Sequence, residues 1–171
     1  MDFNEVLFKR RSIRKYQDQQ VEEEKKMKLL KAAMAAPSAG NQQPWHFIVV
    51  EDDSRKEDIR EIHPYSDMLA EAPLAILVCG DKREERHKGF WVQDCSAAVQ
   101  NMLLMAENLG LGAVWLGVYP REERAEKFQE LFSLPKEVIP LAVVAVGHPA
   151  EESGKVDRFK EGRIHQESWQ N

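Results

Sequence analysis

Apolar positions change their period several times along the chain, and each change marks an element. The opening "DFNEVLF" places Asp2 where a helix N-cap belongs and spaces Phe3, Val6 and Leu7 as a helix does. "EEEKKMKLLKAAM" sets Met27, Leu30 and Met34 on one face, with acids early and lysines late as a helix dipole favours, and Pro37 closes that helix. "PSAGNQQPW" is loop chemistry, long and rich in amides, before "WHFIVVE", which reads as a strand of aromatic and β-branched residues. "DDSRKEDIREI" reads as a surface helix, and "PLAILVCG", residues 73–80, has the unbroken apolar character of a strand buried on both faces.

In "FWVQDCSAAVQNMLLMAENLG", Trp91, Cys95, Ala98, Met102, Met105 and Leu109 share one helix face while Val92, Val99, Leu103 and Ala106 cover a second. A helix apolar on two sides must bury both. The pattern predicts one face on a sheet and the other on a second subunit, with a central helix inside a monomer as the competing reading. "GAVWLGVYP" and "EVIPLAVVAVGHP" read as two more strands around "REERAEKFQELF", a helix that points Phe128, Leu131 and Phe132 inward. Beyond Pro149 the chain turns polar, yet Phe159, Ile164 and Trp169 call for cover that a neighbouring subunit can provide. With no internal repeat and no linker, residues 1–171 are expected to form one domain, with 149–171 as a tail packed on the partner.

Composition narrows the class. Apolar residues make up 43% and charged residues 31% of 171, which excludes a disordered chain, and this length buries roughly two-thirds of its unfolded surface. No apolar run approaches the ~20 residues that span a bilayer, and Asp2, Asn4 and Glu5 interrupt any secretion-signal core. Cys79 and Cys95 lie in apolar segments without metal or redox spacing, so a reducing, cytoplasmic setting is expected.

Charge alters the picture at one place. "KRRSIRK" gathers five cations in a chain whose formal net charge is -5. Such cations repel one another unless an anion neutralises them. Apolar residues flank them on both sides, which sets them near a helix end inside the fold rather than on a nucleic-acid arm, and the global charge disfavours non-specific phosphate-backbone binding.

Much familiar chemistry is missing. His46, His63, His87, His148 and His165 show no metal-ligand spacing, no GxSxG elbow or phosphate loop is present, and "GLGAVWLG" follows a helix and opens a strand, the reverse of a dinucleotide-binding fingerprint. No side chain is an obvious agent of bond chemistry, while several segments are suited to hold something anionic and polar. That combination points to an enzyme whose cofactor supplies the reactivity.

"RRSIRKY", "PSAGNQQPW", "GLGAVWLG" and "VGHP" before a basic tail resemble, in that order and through nearly the whole chain, the FMN-dependent nitroreductase family. The resemblance implies an α+β, three-layer α/β/α fold with a mainly antiparallel central sheet. It also implies a homodimer with FMN at the subunit interface. Arg10, Arg11, Ser12 and Arg14 match the family's first FMN motif, the arginines pairing with the phosphate or the polar ring edge; Lys9 and Lys15 are then solvated. Pro37, Ser38, Ala39, Asn41 and Gln43 match the loop that the other subunit lays against the flavin, and Trp115, Leu116 and Gly117 the main chain that passes flavin N5. Arg158 matches a second phosphate ligand, a role that Arg163 or Lys155 could also take. Two departures stand out: the chain is shorter than many members, and around Tyr65 and Met68 it has neither the asparagine nor the lysine that several relatives place by the flavin.

The implied activity is electron transfer from NADH or NADPH through flavin N5 to nitroaromatics, quinones or enones, both substrates using one site in turn, with no metal. Rival readings are an FMN-binding protein without turnover, a reductive dehalogenase or flavin-fragmenting relative, a nucleic-acid binder, and an interaction protein dimerising through the long helix.

Overall fold

The two longest apolar runs become the centre of the sheet. The structure, a computed structural model, describes residues 2–152, 154 and 156–169. Strands β1 (Trp45–Val50), β2 (Leu74–Asp81), β3 (Gly112–Gly117) and β4 (Val138–Gly147) run in the order β1-β2-β4-β3, every pair antiparallel. All of β2 is buried, as only a strand covered on both faces can be. Alternation sends Leu74, Ile76, Val78, Ala142 and Val144 to one face and Ala75, Leu77, Cys79, Val143 and Ala145 to the other. A register shift at Val78/Cys79 keeps this alternation matched between β2 and β4.

Helices cover both faces. Besides α1 (Phe3–Lys9), they are α2 (Glu23–Met34), α3 (Asp53–Ile62), α4 (Trp91–Asn108) and α5 (Glu122–Leu131). The α2 and α4 helices seal the first face through Leu29, Ala33, Cys95, Ala98, Val99 and Met102; α3 and α5 seal the second through Ile59, Ala125 and Phe128. The fold is the expected three-layer α+β arrangement.

Three details depart from the sequence reading. On α2 the inward stripe is Leu29 and Ala33, with Leu30 half-buried, while Met27 and Met34 remain 44% and 52% exposed. Small Ala33 and Ala98 suit the α2–α4 crossing, and the Asn101 amide donates to the Ala32 carbonyl at 3.1 Å. On α1 only Val6 is buried; Phe3 and Leu7 face outward, and Asp2 makes no side-chain cap bond. The second face of α4 is covered within the chain, as in the competing reading: Val99, Leu103 and Ala106 are buried and Val92 is partly buried, so these positions do not call for a second subunit.

After α1 the chain runs along the outer edge of β3. Ser12 bridges Ala113 in parallel, the Ile13 N–H donates to the Ala113 carbonyl at 3.1 Å, and Ile13 lies where a Cβ on Gly112 would be only 2.6 Å from its Cγ2. Tyr16 then bridges Pro149 and donates its hydroxyl to the Ile13 carbonyl at 2.6 Å. The segment from Arg10 to Tyr16 is thus stitched to the sheet by main-chain bonds, which do not draw on its cationic side chains. Among the described residues beyond Pro149 the tail is irregular apart from a 3-10 turn (Glu161–Arg163), with Val156, Phe159, Ile164 and Trp169 exposed.

Candidate functional site

Arg10 caps α1 by donating its N–H to the Val6 carbonyl. Burial lowers the Arg10 pKa, the nearby charges of Arg158 and Arg11 push the same way, and only Glu107 opposes them. Among the described residues no ion pair forms at Arg10, Arg11, Arg14 or Arg158. Arg11 is satisfied differently: its guanidinium donates to the carbonyls of Phe8 (3.0 Å), Arg10 (2.7 Å), Gly154 (3.2 Å) and Val156 (3.5 Å), tying the tail to the α1 turn. Arg14 and Ser12 are exposed, and the Glu151 carboxylate accepts the Arg14 N–H at 2.6 Å. Of the three tail candidates, Arg158 is the one whose charge acts on Arg10; Arg163 sits in the exposed 3-10 turn, and Lys155 lies outside the described residues.

The loop 37–43 is built in the opposite manner. Gly40, Asn41 and Gln43 all have left-handed φ, at 54°, 55° and 50°, a conformation that costs a non-glycine residue on the order of 1 kcal/mol. Internal bonds hold it: the Gln43 N–H donates to Ser38 Oγ at 3.0 Å and Gln43 Nε2 to Asn41 Oδ1 at 3.0 Å. Two residues that sequence reasoning missed complete the frame. Asp94 accepts the Ala39 N–H at 2.9 Å and the Gln42 amide at 2.6 Å, and Gln42 Oε1 accepts the N–H groups of Arg86 and His87, each at 3.0 Å. A lone carboxylate in the inward heptad of an otherwise apolar helix was the available signal for Asp94.

At the end of β3, Trp115 is half-buried, Leu116 buried and Gly117 exposed, with open space where a Cβ on Gly117 would stand. The Gly117 carbonyl accepts two bonds, from His63 Nε2 at 2.9 Å and from Arg124 at 2.8 Å. Because His63 Nδ1 accepts the Tyr65 N–H at 3.2 Å, the proton sits on Nε2, and Arg124 is only a close neighbour of that nitrogen. Burial lowers the His63 pKa, with Arg124 adding to the effect, so the ring is neutral near pH 7. His63 and Arg124 were not singled out from the sequence. Met68 packs against the second core cluster while Tyr65 is exposed.

The geometry groups some of these parts and separates others. Ser12 pairs at Ala113 and Gly117 ends the same strand, so the cations and the Gly117 peptide lie along one strand about 13 Å apart. The loop 37–43 is elsewhere: it leads into β1, three strand spacings or roughly 14 Å across the sheet. The α4 helix gives the same answer, since Asp94 holds the loop while Glu107 faces Arg10, about 20 Å further along the axis. Within one chain the loop does not meet the cations.

The sequence profile of the Nitroreductase family matches residues 7–64 and 61–148. The chain belongs to the nitroreductase family. A family relative from Methanothermobacter thermautotrophicus, provisionally named an NADH dehydrogenase/NAD(P)H nitroreductase, is 55% identical over 99% of this chain and 88% of its own length. The FMN reductase [NAD(P)H] of Bacillus subtilis is 32% identical over 98% of this chain and 76% of its own. Among solved members, a provisionally named nitroreductase from Desulfovibrio desulfuricans in complex with FMN superposes with a TM-score of 0.86 at 33% identity, covering 99% of both chains.

Proposed function

We propose that the protein is an NAD(P)H-dependent FMN oxidoreductase acting as a homodimer on small, flat, electron-poor acceptors such as nitroaromatics, quinones or enones. The observation that carries this reading is the group of unneutralised arginines, Arg10 with Arg158 beside it, at one end of β3, and the exposed Gly117 peptide at the other. A half-buried cation whose pKa is lowered by burial and, after that, by like charges is stabilised by a dianion, and a phosphate monoester is the anion that arginine forks fit best. Family membership, the relative named an FMN reductase and the relative solved in complex with FMN support the same cofactor.

The residues present fit FMN in named roles. Arg10 and Arg158 would hold the phosphate, with Ser12 and Arg14 flanking it, while Arg11 holds the tail in place beside them. Trp115, Leu116 and Gly117 would form the wall along the flavin, with His63 and Arg124 clamping the Gly117 carbonyl so that this peptide cannot rotate. The loop 37–43 of a second subunit would close the other side, presenting Pro37, Ser38, Ala39 and the amides of Asn41 and Gln43. What FMN supplies when bound is reversible hydride acceptance, which lets the nicotinamide donor and the acceptor visit one site in turn. No residue of the site is required as an acid or base; the chain positions, excludes water and neutralises charge. The two buried, unpaired thiols, with Cys79 pushed up to about 12 by burial, fit a reducing, cytoplasmic setting.

The test is an absorption spectrum of protein incubated with FMN, recorded anaerobically before and after NADH and then NADPH. Bleaching of bound flavin by either nucleotide, followed by recovery on adding a quinone or nitroaromatic, is the expected result. Bound flavin that resists both nucleotides would overturn the oxidoreductase reading.

A further inference from the structure

Gln42 and Asp94 are each only 4% exposed, and together they join three separate stretches: the loop 37–43, the first turn of α4, and the segment 82–90 that precedes α4. The polarity of the arrangement is fixed. The carboxylate takes two N–H bonds, from Ala39 and from Gln42; the Gln42 amide gives one bond and its oxygen takes two, from Arg86 and His87. All these bonds are buried or partly so, where an unmatched donor is most costly.

The loop needs such a bracket. Three of its residues are left-handed, two of them not glycine, and a short polar loop under that strain would otherwise relax. The same Gln42 oxygen that steadies the loop also draws in the next segment: the His87 ring rests against Gly40, where a Cβ would stand 2.3 Å from its Nε2.

We infer that Asp94 and Gln42 are positioning residues that hold loop 37–43 in its flavin-facing shape and lock segment 82–90 onto it, so that the two behave as one body. The inference rests on the reading above, in which this loop faces the FMN of the partner subunit. Asp94 and Gln42 touch no substrate; they act through the main chain of Ala39, Arg86 and His87.

An exchange of the pair tests this. Asp94→Asn turns an amide toward the Gln42 amide, donor against donor, and Gln42→Glu sets one carboxylate against another. In the double variant the new asparagine amide can donate to the new glutamate, whose second oxygen still accepts from Arg86 and His87, so the pattern is restored with its polarity reversed. Two quantities are measured: FMN affinity by fluorescence titration, and amide hydrogen exchange at Ala39, Arg86 and His87 in protein free of FMN. Each single variant is expected to weaken FMN binding about tenfold or more and to speed exchange at those amides together. The double variant is expected to return affinity to within about threefold of the unaltered chain and to slow the exchange again.

Unchanged exchange in the single variants would overturn the bracket itself, as would a double variant no better than the weaker single one. Exchange that is disturbed and rescued while FMN affinity never moves would instead overturn the loop's place in the flavin site. A loss of melting temperature without either change would reduce the pair to ordinary stabilising contacts and end the proposal.

Discussion

The two ends of α4 handle polarity in opposite ways. Near Glu107, Arg10, Arg11 and Arg158 gather with no carboxylate within ion-pair distance among the described residues, so charge is left over. Near Asp94, the loop 37–43 spends its buried donors and acceptors on itself: Asp94, Gln42, Ser38 and the neighbouring N–H groups match one another. The contrast separates two ways of preparing a site. The cation end stores unfavourable electrostatics that only an anion relieves, whereas the loop end stores strained backbone that internal bonds already hold in shape.

Removing the stored charge should have the largest effect. Arg10→Ala with Arg158→Ala is expected to weaken FMN binding by about two orders of magnitude or more, since bonds to a charged group are worth roughly 1.5–3 kcal/mol each. The melting temperature of the FMN-free protein should stay level or rise, because like charges have been taken away. Calorimetry beside a fluorescence titration reads both, and a large fall in stability without FMN would break the comparison.

Gly40→Ala attacks the other end. A side chain there must adopt φ 54° and collides with His87, so the folded state should lose on the order of 1–3 kcal/mol, visible as a lower melting temperature with FMN or without it. His87→Ala on the same background removes the collision but not the strain and is expected to recover only part of that loss.

A smaller, pH-dependent effect belongs to His63. Burial holds its folded pKa below the ordinary histidine value of about 6.5. The unfolded chain therefore takes up the proton first as pH falls, so stability is intact above that value and declines as pH drops from it toward the folded pKa. His63→Gln, which cannot titrate, should flatten the fall in melting temperature between about pH 7 and pH 5. An unaltered slope would show that the Gly117 clamp is indifferent to the charge on His63.

The ease with which each region was read follows from the range of its interactions. The strands of the sheet centre, the long α4 helix and the cluster around Arg10 were legible because their signal is local: a run of apolar residues, a repeat of three and four, a crowd of like charges. The inward face of α2 was not, because methionine, leucine and alanine all suit a helix and only the α4 partner decides that Ala33 faces in while Met27 and Met34 face out. Gln42 and Asp94 escaped notice as a pair because they are 52 positions apart: a carboxylate among inward apolar positions marks Asp94, but nothing local names the amide it meets. His63 likewise reaches Gly117 across 54 positions. Resemblance to the nitroreductases brought Asn41 and Gln43 into view, but not the pair that holds their loop.

The most direct test of the account is a comparison of FMN with riboflavin, which lacks the phosphate, on the unaltered chain and on the variant carrying Arg10→Ala and Arg158→Ala. The account predicts that the unaltered protein binds FMN far more tightly than riboflavin and that the variant binds the two alike. Equal affinities for FMN and riboflavin in the unaltered protein would contradict it, because the charge gathered around Arg10 would then have some other purpose.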